Sequence, residues 1–379
     1  MNRIIITGGG TGGHVYPAIA IADAVMKRAP QTEILFIGAT GRLEMDQVPA
    51  AGYRIEGLPI TGFIRRLTLK NLLFPFRLAS SLLKARRLVR NFHPDTVIGV
   101  GGYASGPAVK VAAGMGIPTL ILEQNSYPGV TNKILSANVL RICVAFEGME
   151  RYFPKDKIVF TGNPVRKDLC DLESKKEKAV QYFRLNPGLT TLLVLGGSGG
   201  AATINQGIHS FITAGIPPTL QIIWQTGRHY YSQVVASTGM SEDNSVTDIP
   251  TDDLRSKCRI FPFINRMDLA YAVADMVLSR AGAVTIAELC ATGKAAILVP
   301  SPNVADDHQT KNAQALVDKN AAMLLRDADV TDTLRTMLIE LLNNKELREN
   351  LKRNIQSLAI PEASERITDE IFSLIQTYS

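Results

Sequence analysis

Residues 4–14 read Ile-Ile-Ile-Thr-Gly-Gly-Gly-Thr-Gly-Gly-His, and this stretch decides the fold. Its β-branched isoleucines predict a short buried strand. Five glycines within residues 8–14 then allow a tight turn and a close backbone approach. From Pro17 the apolar spacing of Ala18, Ile19, Ile21, Ala22, Val25 and Met26 is helical. A strand, a glycine loop and a helix N-terminus in that order present free amides and the positive end of a helix dipole. That is a site for phosphate or another anion. His14 stands at its mouth, one of five histidines in the chain.

The same pattern recurs downstream. Short apolar runs at 34–38, 95–103, 118–125 and 157–161 alternate with helical spacing, which predicts an α/β domain with a parallel sheet. The pattern restarts at 191–195, followed by Gly196-Gly197-Ser198-Gly199-Gly200 and another helix. Further strands are expected at 221–225, 259–263, 276–279 and 295–299, and helices at 332–342, 345–358 and 363–376. This self-similarity implies two Rossmann-like, doubly wound domains facing across a cleft. The join is placed at Gly162-Asn163-Pro164, giving domains 1–163 and 164–379, with the last helix a candidate to pack back on the first domain. The charged stretch 173–178 reads as a solvated helix face.

At 379 residues two domains are the natural expectation, and 46% hydrophobic with 20% charged residues is ordinary for a globular chain. The net charge of +6 suits an anionic partner without choosing among nucleotide, nucleic acid and acidic lipid. Cys143, Cys170, Cys258 and Cys290 lack metal or redox spacing and read as reduced, structural thiols. The N-terminus enters its first strand at once, so no signal peptide is expected. No apolar run approaches the roughly 18 residues of a membrane span.

Gly8-x-Gly10-x-x-Gly13 formally matches the dinucleotide fingerprint, and Gly197-x-Gly199-x-x-Ala202 nearly does. The fingerprint also needs an acid at the end of the second strand, where this chain has Gly38-Ala39-Thr40. A dehydrogenase is disfavoured. Neither loop carries Gly-Lys-Ser/Thr, so a P-loop kinase is disfavoured too. The bland alternative is glycines that serve helix–strand packing alone. His14 is either a loop histidine capping the helix or a general base. An imidazole with a reference pKa of about 6.5 can take a hydroxyl proton at neutral pH.

A second signal is Ser279-Arg280-Ala281-Gly282-Ala283-Val284-Thr285-Ile286-Ala287-Glu288. A helix starting near Ala283 would offer amides to a diphosphate, and Glu288 could take both ribose hydroxyls. Otherwise Glu288 only stabilises a helix start. Arg166 is a candidate guanidinium for phosphate charge, or an ordinary surface arginine. The loop Asp306-Asp307-His308-Gln309-Thr310-Lys311-Asn312 suits sugar hydroxyls. No second carboxylate cluster and no Asp-x-Asp at a strand end supports a metal. No metal and no cofactor are expected; helix dipoles and arginine take the cation's place. Residues 67–91 mix leucine and phenylalanine with basic residues, as in a segment lying on an anionic membrane. For 82–89 a helix packed on the sheet, basic residues outward, is the competing reading.

Six of these stretches together resemble the MurG family of bacterial peptidoglycan N-acetylglucosaminyltransferases. They are Gly-Gly-Thr-Gly-Gly-His (9–14), Gly-Gly-Tyr-Ala-Ser-Gly-Pro (101–107), Glu-Gln-Asn (123–125), Gly-Asn-Pro-Val-Arg (162–166), Gly-Gly-Ser-Gly-Gly-Ala (196–201) and Arg-Ala-Gly-Ala-Val-Thr-Ile-Ala-Glu (280–288). The resemblance implies a GT-B glycosyltransferase. It would move GlcNAc, with inversion, from UDP-GlcNAc to the C4 hydroxyl of MurNAc in undecaprenyl-diphosphate-MurNAc-pentapeptide, making lipid II from lipid I. It also implies peripheral attachment to an anionic membrane surface at the cytoplasmic face, and no nucleic acid partner.

Carried over by position, the resemblance puts Arg166 and Ser198 on the nucleotide diphosphate and the Ile264 backbone on uracil. Ala283, Val284, Thr285 and Glu288 would hold phosphate and ribose, and Gln309 the GlcNAc hydroxyls. Thr11, Gly12, Gly13 and Asn125 would approach the donor sugar from the first domain, which takes the lipid acceptor. Gly101, Gly102 and Tyr103 form its acceptor-side loop. His14 is the expected base and Glu123 the reserve. Two departures are His308-Gln309, where some members have Gln-Gln, and Gly199, where a larger polar residue is often found. A UDP-GlcNAc 2-epimerase and a non-catalytic nucleotide-sugar scaffold are the competing functions.

Overall fold

The computed structural model describes residues 1–60, 74–169, 171–197, 199–238, 257–304 and 307–378. Strand β1 (Arg3–Thr7) is central to a seven-stranded sheet, where Ile4 pairs with Ile34 of β2 (Glu33–Ala39) and Thr96 of β4 (Thr96–Gly99). Beyond β2 lies β3 (Arg54–Leu58). Beyond β4 lie β5 (Thr119–Glu123), β6 (Arg141–Val144) and β7 (Ile158–Phe160), and the order is β3-β2-β1-β4-β5-β6-β7, all parallel.

The isoleucine run is apolar at every position because both faces of the sheet are covered. Ile4 and Ile6 point to one side, against Val15, Ile21 and Val25 of helix α1 (Gly12–Arg28). Ile5 points to the other, among Ala85 and Val89 of α3 (Phe74–Phe92) and Ala108 and Ala112 of the helix Ser105–Gly114. Between β2 and β3 a short helix, α2 (Glu44–Ala50), closes the turn.

The second sheet repeats the plan. Its strands are β8 (Thr190–Leu195), β9 (Leu220–Gln225), β10 (Cys258–Phe261), β11 (Met276–Ser279), β12 (Ala295–Leu298) and β13 (Met323–Leu324). Their order, β10-β9-β8-β11-β12-β13, is again parallel and doubly wound. In each sheet the winding reverses beside the first strand, between β1 and β4 and between β8 and β11. Ligands in such sheets bind beyond the carboxyl ends of the strands at this reversal. The glycine loops after β1, β4, β8 and β11 all lie there.

The chain divides into two compact units, one of Met1–Arg166 with Ile360–Ser379, the other of Lys167–Ala359. This puts the boundary at 166/167, three residues past the expected 163/164, and groups the last helix, the candidate to pack back, with the first unit. The helix Ala363–Tyr378 groups with the first unit because Ile367, Ile371 and Ile375 bury against the core that α1 covers. Arg28 pairs with Asp369 and lies 5.0 Å from the Phe372 ring, and Arg141 pairs with Glu370 at 3.3 Å. Gly162, at φ +79°, lets the returning chain pass: a Cβ there would stand 2.8 Å from Cβ of Ile360.

The sequence expectation holds no strand at β3, β6 or β13. Edge strand β3 reads Arg-Ile-Glu-Gly-Leu, β6 opens on the charged Arg141, and β13 has two residues, so none makes a long apolar run. The charged stretch 173–178 is not wholly solvated, since Lys175 pairs at 3.3 Å with the buried Asp268. Cys143, Cys258 and Cys290 are free and buried, and burial pushes their thiols up. Cys170 lies outside the described residues.

Candidate active site

The loop after β1 is built on glycine because other backbone lies against it. Gly8 N donates to Ile37 O and Gly9 N to Gly101 O, each at 3.3 Å. A side chain on Gly102, at φ +81°, would overlap the Gly9 carbonyl. The β1 and β4 loops thus fit together glycine to glycine, with Tyr103 beside them half exposed. His14 lies on this platform in the first turn of α1. A Cβ on Gly101 would stand 2.6 Å from its Cδ2 and 2.9 Å from its Nε2. Nδ1 of His14 is 3.1 Å from Thr11 Oγ1. The tautomer that donates from Nδ1 to that hydroxyl leaves a lone pair on Nε2.

The anion expected on this loop is supplied from inside the chain. Glu44, the first residue of α2, is 1% exposed, and its Oε2 accepts from Gly10 N at 2.9 Å. Its Oε1 accepts from Ala39 N, also at 2.9 Å. Amides 8, 9 and 10 are therefore all engaged within the protein. Those of Thr11, Gly12 and Gly13 have no acceptor among the described residues, as the first turn of a helix leaves them. Of the stretch read as a site for phosphate or another anion, the amides without an acceptor among the described residues therefore begin at Thr11.

Glu123 ends β5 and is 2% exposed. Its Oε1 accepts from Asn125 N at 3.0 Å and Asn125 Nδ2 at 3.3 Å. Its Oε2 accepts from Gly129 N at 3.0 Å and Asn132 Nδ2 at 2.9 Å. Burial pushes its carboxyl up, and these donors partly offset that. A buried carboxylate with both oxygens occupied cannot readily reach a substrate hydroxyl. The reserve-base reading of Glu123 gives way to a holding role: it shapes the loop that presents Asn125. Gln124 adds to this by donating to Val100 O at 2.6 Å.

In the second unit the helix Ala283–Thr292 starts at Gly282, whose extended backbone aims the first-turn amides of Ala283, Val284 and Thr285 beyond the end of β11. No acid stands in that first turn. Glu288 is 7% exposed, and Tyr271 Oη donates to its Oε2 at 3.2 Å. Arg280 bonds the carbonyls of Val299 and Pro300 and pairs with Asp327, so it anchors the strand ends. Gln225 bridges the β8 loop to the next one, donating to Gly197 O at 3.1 Å and accepting from Ile264 N at 2.9 Å. The Ile264 amide is thereby occupied within the protein. Gln309 Oε1 accepts from Ser301 N at 2.9 Å, which fixes the orientation of its amide. Ser198 and Asp306 lie outside the described residues. Arg166, in the first unit, stands 5.6 Å from the Tyr16 ring centroid, a cation–π contact that ties it to α1.

Sequence reasoning missed Glu44, Tyr271 and Gln225. An acid was sought at the end of β2 and found lacking. It lies five residues past Ala39 and faces the loop amide instead of a ribose.

Two doubly wound units with glycine loops at both strand reversals and a helix start beyond β11 have the two-domain GT-B architecture. Residues 4–144 match the glycosyltransferase family 28 N-terminal domain and residues 191–367 its C-terminal domain. A protein of Parabacteroides distasonis named UDP-N-acetylglucosamine–N-acetylmuramyl-(pentapeptide) pyrophosphoryl-undecaprenol N-acetylglucosamine transferase is 52% identical over 373 residues, 98% of each chain. The crystal structure of Acinetobacter baumannii MurG superposes with a TM-score of 0.74 at 27% identity, over 98% of this chain and 100% of that one. A UDP-GlcNAc 2-epimerase from Neisseria meningitidis, bound to UDP-GlcNAc, gives a TM-score of 0.66 at 15% identity over 98% and 100% of the two chains, a likeness of fold alone. The chain belongs to glycosyltransferase family 28 and, within it, to the MurG family.

Proposed function

We propose that this chain transfers GlcNAc from UDP-GlcNAc to the C4 hydroxyl of MurNAc in undecaprenyl-diphosphate-MurNAc-pentapeptide, with inversion, forming lipid II from lipid I. The observation that carries this reading is full-length similarity to N-acetylglucosamine transferases of that reaction. It favours transfer over epimerisation, because the epimerase likeness stops at the fold.

The donor binds the second unit. Amides 283–285 and the helix dipole hold the diphosphate, Glu288 takes the ribose hydroxyls, the Ile264 carbonyl meets uracil and Gln309 meets GlcNAc. The acceptor binds the first unit beside Gly101–Tyr103, while Thr11–Gly13 and Asn125 approach the donor sugar. In a single displacement the acceptor O4 forms a bond to the anomeric carbon while the bond from that carbon to the UDP oxygen breaks. The O4 proton passes to His14 Nε2, a contribution of roughly 10²–10⁴-fold. The charge on the departing UDP is met by the helix-start amides, with Arg166 and Ser198 as further diphosphate ligands.

Peripheral attachment runs through α3. Its Ser81, Ala85, Val89 and Phe92 face the core, while Phe76 and Leu83 are 74% and 71% exposed, with Arg86, Arg87 and Arg90 outward. The helix packs on the sheet, and its apolar, basic outer face supports the reading of a surface that lies on anionic lipid. The part at 67–73 lies outside the described residues. No described helix is long and apolar enough to cross a membrane. The cytoplasmic face, where UDP-GlcNAc is available, completes the reading.

The test is UDP release with a short-chain lipid I analogue, with and without chelator, and product analysis with UDP-GlcNAc alone. Acceptor-dependent UDP release that survives chelation supports the reading. UDP-ManNAc formed without acceptor overturns it.

A further inference from the structure

Glu44 is a buried carboxylate that the reaction scheme does not use. Its two oxygens accept from amides 29 residues apart in sequence, Gly10 in the β1 loop and Ala39 at the end of β2. Glycines clear the space around it: a side chain on Gly9, at φ +150°, would overlap the carboxyl group, and one on Gly38 would stand 2.5 Å from its Cγ. The backbone is thus shaped around this one side chain. Ordinary surface acids at helix starts need no such clearance.

We propose that Glu44 is the resident anion of the first glycine loop and a positioning residue for the acceptor. By occupying Gly10 N it closes the early loop amides to phosphate. The amides of Thr11, Gly12 and Gly13, the next residues along the loop, then remain the ones open to a substrate oxygen. It also fixes Gly9 against Gly101 and Gly102, the platform on which the His14 ring lies. Its loss displaces His14 and opens a competing anion pocket in the same step. This rests on the reading that the first unit takes the acceptor; the donor residues of the second unit do not depend on it.

The experiment compares Glu44→Ala and Glu44→Gln with wild type in steady-state kinetics, varying UDP-GlcNAc and a short-chain lipid I analogue separately. Sodium formate is added against sodium chloride at equal ionic strength. Formate can refill the vacated pocket and accept from both amides. We expect kcat/KM for the acceptor to fall at least 30-fold in Glu44→Ala, while KM for UDP-GlcNAc stays within 2-fold. Formate, but not chloride, should recover several-fold of the loss in Glu44→Ala and none in wild type. If Glu44→Ala melts below the assay temperature, Glu44→Gln is read by the same acceptor-against-donor split.

Equal losses on donor and acceptor, wild-type kinetics in both variants, or a folded Glu44→Ala without formate recovery would each overturn the proposal. Amide NMR separates it from the reading it rests on: formate should shift Gly10 and Ala39 in Glu44→Ala but not in wild type. Absence of those shifts removes Glu44 as an anion holder even where turnover is acceptor-dependent. A wild type with no acceptor-dependent turnover but with the variant's formate shifts instead sinks the assigned reaction.

Discussion

The Tyr271 hydroxyl donates to Glu288 Oε2 at 3.2 Å, joining a fully buried phenol to the carboxylate assigned to the donor ribose. The bond fixes the Glu288 rotamer before any nucleotide arrives, and a preformed carboxylate loses less freedom on binding. Tyr271→Phe should therefore raise KM for UDP-GlcNAc by ~2–10-fold, the effect of one neutral-range hydrogen bond, with kcat nearly unchanged. A donor lacking the ribose 2′-hydroxyl should narrow that gap. If the deoxy donor shows the full penalty, Tyr271 acts on the core and not through Glu288.

Removing the carboxylate itself has a larger effect. Glu288→Ala gives up charge-assisted bonds to the ribose, one of which alone is worth ~1.5–3 kcal/mol, so UDP-GlcNAc affinity by calorimetry should fall at least ~10-fold. Wild-type affinity would refute the ribose assignment.

The outer face of α3 makes a separable prediction. Phe76→Ser with Leu83→Ser removes its two most exposed apolar side chains, and each Arg near an anionic surface is worth ~1 kcal/mol. The double variant, and Arg87→Glu, should bind anionic vesicles several-fold more weakly in sedimentation. UDP release with a soluble short-chain acceptor should be unaffected. Undiminished vesicle binding would move the membrane contact elsewhere.

Asp268 gives the pH dependence. The Arg266 guanidinium, with bonds of 2.9 and 2.7 Å, is the main reason its carboxyl is held well below the usual carboxylate range, and Lys175 adds to it. A lowered folded-state pKa contributes stability that is present above the unfolded value of ~3.9 and lost as pH falls through the folded one. Wild type should exceed Asp268→Asn by ~1–3 kcal/mol in urea melts at pH 5–8, and the difference should shrink below about pH 4. A difference that grows on acidification would contradict the assignment.

Much of the architecture was legible because it rests on local pattern. Runs such as 4–6, 192–195 and 276–278 are apolar throughout because they are buried on both faces, and glycines mark the loops at their ends. Edge strand β3 escaped because it lacks that pattern. The site residues that escaped share a different cause: each works through a neighbour distant in sequence. Glu44 meets Gly10, Gln225 meets Ile264 and Tyr271 meets Glu288 only after the strands are ordered. For the same reason Glu123 reads from sequence as a reserve base at a strand end, before its four donors from residues 125, 129 and 132 are in place. The last helix is a candidate for the first domain from sequence, but Ile367, Ile371 and Ile375 meet that core only through contacts far apart in the chain.

The most direct measurement is acceptor-dependent UDP release by wild type and His14→Ala at saturating UDP-GlcNAc, with donor affinity measured in parallel. A base at Nε2 predicts a rate ~10²–10⁴-fold lower with donor affinity retained. An unchanged rate, or a loss of donor affinity that accounts for the whole decrease, would contradict the mechanism.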